Sequence, residues 1–279
     1  MRKGTIRTTV LLAAAMVCIA LSSTSLAETP KRIISLSPAT TEILFSLGLG
    51  DRIVGVTSFC DHPDEAKRKA KVGGMSNPSL EAVVSLMPDV VVLTTDGNPQ
   101  EAEERVRKLG IRTYVWTERT LAELPQGIRK LAAAMGAVPQ GEDLAGEIEK
   151  TLKSSKFKAQ SSKGIKALYI VWPEPLLVAG PGTAIHDAIV LLGMENTAAR
   201  AATAYPRYSI EEVIRRSPDV LFIGKGAGMD MRDVSQGFLK KLAAVPAVRD
   251  GKVFYVSDSL YRLGPRVVQG IEELAACVR

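Results

Sequence analysis

A seventeen-residue pattern that occurs twice sets the tightest limit on how this chain can fold. Residues 79–95 read SLEAVVSLMPDVVVLTT, and residues 209–225 read SIEEVIRRSPDVLFIGK. Serine, an aliphatic residue, glutamate and valine are followed by Pro-Asp-Val and an apolar run, at the same spacing in both. Self-similarity of this kind marks a duplicated supersecondary unit. Each copy predicts a helix followed by a strand. Ser79 and Ser209 can accept the free N–H groups of a first helical turn. Glu81 and Glu211 fall in that turn, where a carboxylate faces the positive end of the helix dipole. Pro88 and Pro218 then stop the helix. The continuous apolar runs at 90–93 and 220–223 suit strands covered on both faces.

The flanks repeat as well. GIRTYVW at 110–116 matches GKVFYVS at 251–257, and 32–36 and 166–171 each supply a first strand. Each first strand leads into a helical stretch ending near Gly48 or Gly193. Alternating strand and helix patterns predict parallel sheets. We therefore expect two similar α/β lobes over about 28–138 and 164–279. The segment between them, 139–163, carries Leu144, Ile148 and Leu152 among charges, an amphipathic helix. A long helix resists bending more than a pair of extended strands does, so modest closure is expected.

Residues 1–27 stand apart. Arg2, Lys3 and Arg7 precede an apolar run from Val10 to Leu21, and Ser25 and Ala27 follow. This is the layout of a secretory leader, with cleavage expected after Ala27 and export of the mature protein. The run is short for a membrane span of about 20 residues, and Val17 ahead of Cys18 argues against lipidation there. The full chain has a net charge of +6, and its first 27 residues hold three basic and no acidic side chains, which leaves +3. With no dense basic stripe, nucleic acid is not an expected partner. Cys60 and Cys277 remain; export permits a disulfide, but two cysteines make no dense framework.

Other chemistries find little support. Bare zinc or manganese needs several histidines with carboxylates, whereas His62 and His186 stand in different halves. GKGAG at 224–228 lacks the rest of a phosphate-loop motif. There is no G-x-S-x-G. Nothing nominates a catalytic mechanism, so the chain is not expected to be an enzyme, and a purely structural role fits poorly with aromatic-bearing loops.

Three further stretches are distinctive: RIISLSPATTE at 32–42, VGVTSFCDHP at 54–63 and VGGMSNPSLE at 72–81. Together with the Pro-Asp-Val strands, they resemble the vitamin B12- and ferric-chelate-binding proteins of bacterial ABC importers, over essentially the whole mature chain. The resemblance implies an α/β fold of two Rossmann-like lobes with central parallel sheets, joined by one long α-helix. It implies a monomer that holds a bulky ligand between the lobes and delivers it to an inner-membrane permease and its ATPase. It also implies that Glu81 and Glu211 dock on arginines of that permease. Matching positions for the ligand pocket are Phe59, Met75, Thr94, Trp172, Tyr205, Asp258 and Arg262. The first, fourth and fifth keep an aromatic face toward a flat ligand; Met75 and Thr94 depart from aromatics. Asp258 and Arg262 are expected either to hydrogen-bond polar ligand arms or to pair with each other. The ligand would be a cobalt- or iron-containing chelate, a corrinoid first and a ferric siderophore or haem next, with no intrinsic cofactor. His62 is an axial-ligand candidate. By the same resemblance Cys277 matches one end of a disulfide whose other end is Leu192 here, leaving it unpaired or paired with Cys60.

Overall fold

The computed structural model describes residues 29–154, 162–225 and 231–278. The leader expected at 1–27 lies outside these residues, as do residues 155–161 of the expected linker.

In the first half, β1 (Ile33–Ser35), α1 (Pro38–Ser46), β2 (Ile53–Val56), α2 (Asp64–Lys67), β3 (Ala70–Lys71), α3 (Leu80–Ser85), β4 (Val90–Thr94), α4 (Gln100–Lys108) and β5 (Arg112–Trp116) follow one another. They build a five-stranded sheet in the order β3-β2-β1-β4-β5, all parallel. Helices α5 (Leu124–Met135) and α6 (Val138–Leu152) come next. The second half runs β6 (Lys166–Pro173), β7 (Leu176–Val178), α7 (Ala184–Leu191), β8 (Glu195–Asn196), α8 (Ile210–Arg216), β9 (Val220–Gly224), α9 (Met231–Lys241), α10 (Pro246–Arg249), β10 (Val253–Val256) and α11 (Val267–Cys277). Its sheet has the order β10-β9-β6-β7, with β8 also paired to β6.

The repeat has one physical meaning in both halves. The Ser79 hydroxyl accepts the Ala82 N–H at 3.2 Å, and Ser209 accepts that of Glu212 at 3.2 Å. Val83 and Val213 are both fully buried behind these caps. After each helix one residue turns left-handed, Met87 with φ 43° and Ser217 with φ 49°. The aspartate of Pro-Asp-Val then ties down the neighbouring strand. Asp89 accepts the N–H groups of Lys31 and Arg32 at 2.7 and 2.8 Å, and Asp219 accepts that of Lys166 at 2.9 Å. The residue just after each of these aspartates pairs beside β1 or β6, Val90 with Ile33 and Val220 with Ala167.

The strand runs are covered on both faces, as continuous apolar runs require. Val90, Val92, Val220 and Phe222 point into one hydrophobic cluster that extends through α5, α6 and α11 and belongs to both lobes. Val91 and Leu93 point into a second cluster, and Leu221 and Ile223 into a third, each confined to one lobe. Alternation along the strand, period two, thus divides shared core from private core.

Two expectations change. The second sheet is mixed: β7 runs antiparallel to β6, with Pro173 opposite Leu176. Residues 174 and 175 form the hairpin turn, and Trp172 sits on β6, paired with Leu177. The connecting helix spans 138–152 and is capped at Lys153, shorter than the 139–163 expected. The apolar series that drives it ends at Leu152, and serines and lysines follow. Its buried line runs through Gly141, Ala145 and Ile148, with Leu144 and Leu152 only half covered. Gly141 explains this shift: a Cβ there would come within 2.3 Å of the Ala132 Cβ, so α5 and α6 touch along their small residues. Cys60 and Cys277 are both free. Cys60 is buried, its Sγ 3.2 Å from the Thr41 hydroxyl, and of the two alternatives expected for Cys277 the unpaired one holds.

Candidate functional site

In parallel α/β sheets, functional residues gather where strands end. Here the segments that follow strand ends in both sheets wall one cavity of about 390 Å³. From the first sheet come Ser37 to Ala39 after β1, Phe59 after β2, Met75 after β3, Thr94 and Asp96 at β4, and Trp116, Glu118 and Arg119 at β5. From the second come Trp172 at β6, Gly224 and Lys225 at β9, and Asp258 and 260–263 after β10, with Tyr205 from the segment before α8.

All seven residues proposed for the pocket, Phe59, Met75, Thr94, Trp172, Tyr205, Asp258 and Arg262, therefore line the same space. Phe59 is 46% exposed, an uncovered aromatic face at the cavity rim. The two tryptophans use their polar edges internally: Trp116 Nε1 donates to the Glu118 carbonyl at 3.1 Å and Trp172 Nε1 to the Glu174 carbonyl at 2.7 Å. Each therefore offers the cavity apolar ring surface without an unmet donor. Tyr205 packs edge-on against Tyr261, ring centroids 6.0 Å apart. Its hydroxyl reaches across the cleft to Asp96 Oδ2 at 3.4 Å. Burial and then the Asp96 charge both raise the Tyr205 pKa, so the phenol stays protonated.

Loop conformation at the first lobe's edge is held by Asn98. Its amide donates to the carbonyls of Leu36 at 3.0 Å and Met75 at 2.7 Å, and its Oδ1 accepts the Thr94 N–H at 2.8 Å. One side chain thus fixes the ends of three strand-to-helix connections.

Asp258 and Arg262 line the cavity and are paired, Asp258 Oδ2 lying 2.7 Å from Arg262 Nε, so the second of the two expectations for them, a local ion pair, is the one observed. Arg262 also donates to Asp61 of the first lobe. Burial opposes ionisation of Asp61, but the hydrogen bond and charge of Arg262 outweigh it and hold that carboxyl below its usual range.

His62 is exposed and does not line the cavity. No cluster of three or more His, Cys, Asp or Glu able to hold a metal ion occurs among the described residues. Glu81 and Glu211 lie outside the cavity, both exposed, in the first turns of α3 and α8. The Ser209 hydroxyl bonds to Glu211 and lowers its pKa. Asp96, Glu118, Arg119, Tyr169, Lys225 and Tyr261 are cavity residues that sequence reasoning missed. Four of them, Asp96, Glu118, Arg119 and Lys225, lie within three residues after a strand end, a position that could have found them. Gly224, set aside above as a weak phosphate-loop glycine, has a steric role: a Cβ there would meet the Tyr169 hydroxyl at 2.8 Å.

Two α/β lobes, a shared core behind them and an aromatic cavity at their facing edges define a two-lobed solute-binding protein. The comparisons agree. The chain belongs to the periplasmic binding protein family, whose model matches residues 33–260. It is 31% identical to the vitamin B12-binding protein of Vibrio parahaemolyticus over 255 residues, 91% of each chain. It is 30% identical to an ABC transporter substrate-binding lipoprotein of Bacillus subtilis over 89% of this chain and 80% of that one. Among solved structures, the periplasmic haem-binding protein of Roseiflexus superposes with a TM-score of 0.80 at 29% identity, covering 89% of this chain and 97% of that one. The vitamin B12-binding protein of Vibrio cholerae gives 0.78 at 26%, covering 90% and 97%. Members of this family bind solutes for transport, and the chain is not an enzyme.

Proposed function

We propose that this protein captures a corrinoid or a related metal chelate in the interlobe cavity and delivers it to the permease of an ABC importer. The observation that carries the reading is the cavity wall, to which one lobe contributes Phe59 and Trp116 and the other Trp172, Tyr205 and Tyr261. A wall rich in aromatic side chains suits a flat, largely apolar macrocycle, and aromatic burial supplies much of the binding energy of such sites. Relatives that bind vitamin B12 place corrinoids first. Likeness to the Roseiflexus haem-binding protein makes haem the second reading. The ligand is cargo, and the protein needs no cofactor of its own.

Glu81 and Glu211 complete the proposal as the contacts with permease arginines. They occupy equivalent, exposed positions of the repeat and stand at the strand C-terminal edge of their lobes, the edge that carries the cavity. The lobes comprise residues 28–138 and 164–279, with 139–163 connecting them, and the protein works as a periplasmic monomer after cleavage behind Ala27. Absorption titration of the purified protein with cyanocobalamin, haemin and a ferric siderophore tests the ligand. Saturable binding of cyanocobalamin supports the leading reading, haemin alone supports the second, and binding of none of the three overturns both. Mass spectrometry of exported protein tests the cleavage site.

A further inference from the structure

Glu42 is a carboxylate in α1 that is only 2% exposed, yet it is not among the residues that wall the cavity. Every ion-pair partner it has among the described residues belongs to the other lobe. Its Oε2 accepts from Arg266 Nε at 2.8 Å and its Oε1 from Arg266 Nη2 at 2.6 Å, a two-point fork. Arg262 Nη1 stands 3.6 Å from the same Oε1. Arg266 in turn lies 3.4 Å from Asp258 Oδ1. Asp258 and Arg262 are therefore held from behind by a network that starts in the first lobe.

A planar guanidinium locked to a carboxylate at two points fixes angle as well as distance. Such a buried pair contributes little net stability compared with apolar packing; what it supplies is geometry. The hydroxyl groups around it give α1 a fixed seat from which to do so. Ser35 Oγ lies 2.8 Å from Thr40 Oγ1, and Thr41 Oγ1 donates to Ser35 Oγ at 2.8 Å. The polar residues of RIISLSPATTE thus anchor the helix that presents Glu42 across the lobe boundary.

We infer that Glu42 is a positioning residue for the ligand site: through Arg266 and Arg262 it sets the spacing of the lobes at the Asp258 wall. This rests on the cavity being the ligand site. Removing the charge should leave the fold in place, let the lobes sample wider separations, and speed ligand release.

The test joins two readouts on the Glu42→Gln protein. Spin labels at Lys108→Cys and Lys240→Cys, in a Cys277→Ser background, report the interlobe distance distribution without ligand. Stopped-flow release of cyanocobalamin or haemin, whichever the unaltered protein binds, reports the dissociation rate. A broadened distance distribution with at least tenfold faster release supports the inference. An unchanged distribution, or unchanged release, overturns it even where the melting temperature falls. Arg266→Lys keeps the charge and loses the fork; it should fall between the two and serves if Glu42→Gln does not fold. Glu149→Gln, which removes one of the two carboxylates of the connecting helix α6 that pair with Arg129 of α5 and leaves the other, Glu142, in place, should move neither readout. If the unaltered protein binds neither chelate, the ligand reading fails, and the distance distribution alone decides the role of Glu42.

Discussion

Trp172 and Trp116 show how single side chains prepare this cavity. Each satisfies its indole N–H on a backbone carbonyl two residues on, so the ring face is what remains to offer. Trp172→Ala is expected to weaken chelate binding about tenfold, since an aromatic contact is worth roughly 0.5–1.5 kcal/mol beyond its buried area. Titration of the variant against the unaltered protein checks this, and superimposable curves would remove Trp172 from the site. Asp61 makes a second prediction, through pH. Its carboxyl in the folded protein lies below the ordinary 3.8 because Arg262 overcomes the effect of burial. A carboxylate with a depressed folded-state pKa stabilises the fold fully above its unfolded value, and that contribution is lost as pH falls through the lowered one. The difference in melting temperature between the protein and Asp61→Asn should therefore be constant from about pH 5 to 7 and shrink towards about pH 3. A difference that grew on acidification would show that the pairing with Arg262 does not stabilise the folded state.

The repeated unit is a device for pinning two strands at once. Its serine caps the helix, its proline ends it, and its aspartate grips the first strand of the lobe through backbone N–H groups. Ser79→Ala and Ser209→Ala should each cost about 1 kcal/mol in urea unfolding, the usual loss for a serine cap. Equal losses would show that the two copies carry equal weight. The α5–α6 pair depends instead on small residues. Gly141→Leu forces a side chain against Ala132, where even a Cβ lacks room, and should destabilise by about 1–3 kcal/mol. A neutral effect would mean that the helices can separate freely. That outcome would also weaken the expectation of modest lobe closure, because this pair contributes to the core that both lobes share.

At the scale of the molecule, one hydrophobic cluster runs from Ile33 of the first sheet through Ile128 and Ile148 to Phe222 and Leu274 of the second half. Lobes fused in this way move less than lobes joined by strands alone. In the docking proposed above, the permease contacts both lobes together. Glu81→Arg with Glu211→Arg should abolish uptake by cells while leaving chelate affinity intact; lost affinity would instead assign those carboxylates to ligand binding. Local order was legible in the chain: serine, glutamate, proline and Pro-Asp-Val act within a few residues of themselves, and apolar runs reveal buried strands because burial selects for them. The resemblance carried the seven pocket positions, and the structure gathers them around one cavity. The antiparallel β7, the buried line of α6 through Gly141 rather than Leu144, and the reach of Glu42 to Arg266 were not legible. Each depends on a partner distant in sequence, up to 224 residues away for Glu42, and no local pattern encodes which distant group will arrive. The sequence by itself determined two copies of a helix-strand unit and their polarity. Only the tertiary structure decided how the copies face each other, because that follows from packing between side chains the chain order keeps apart.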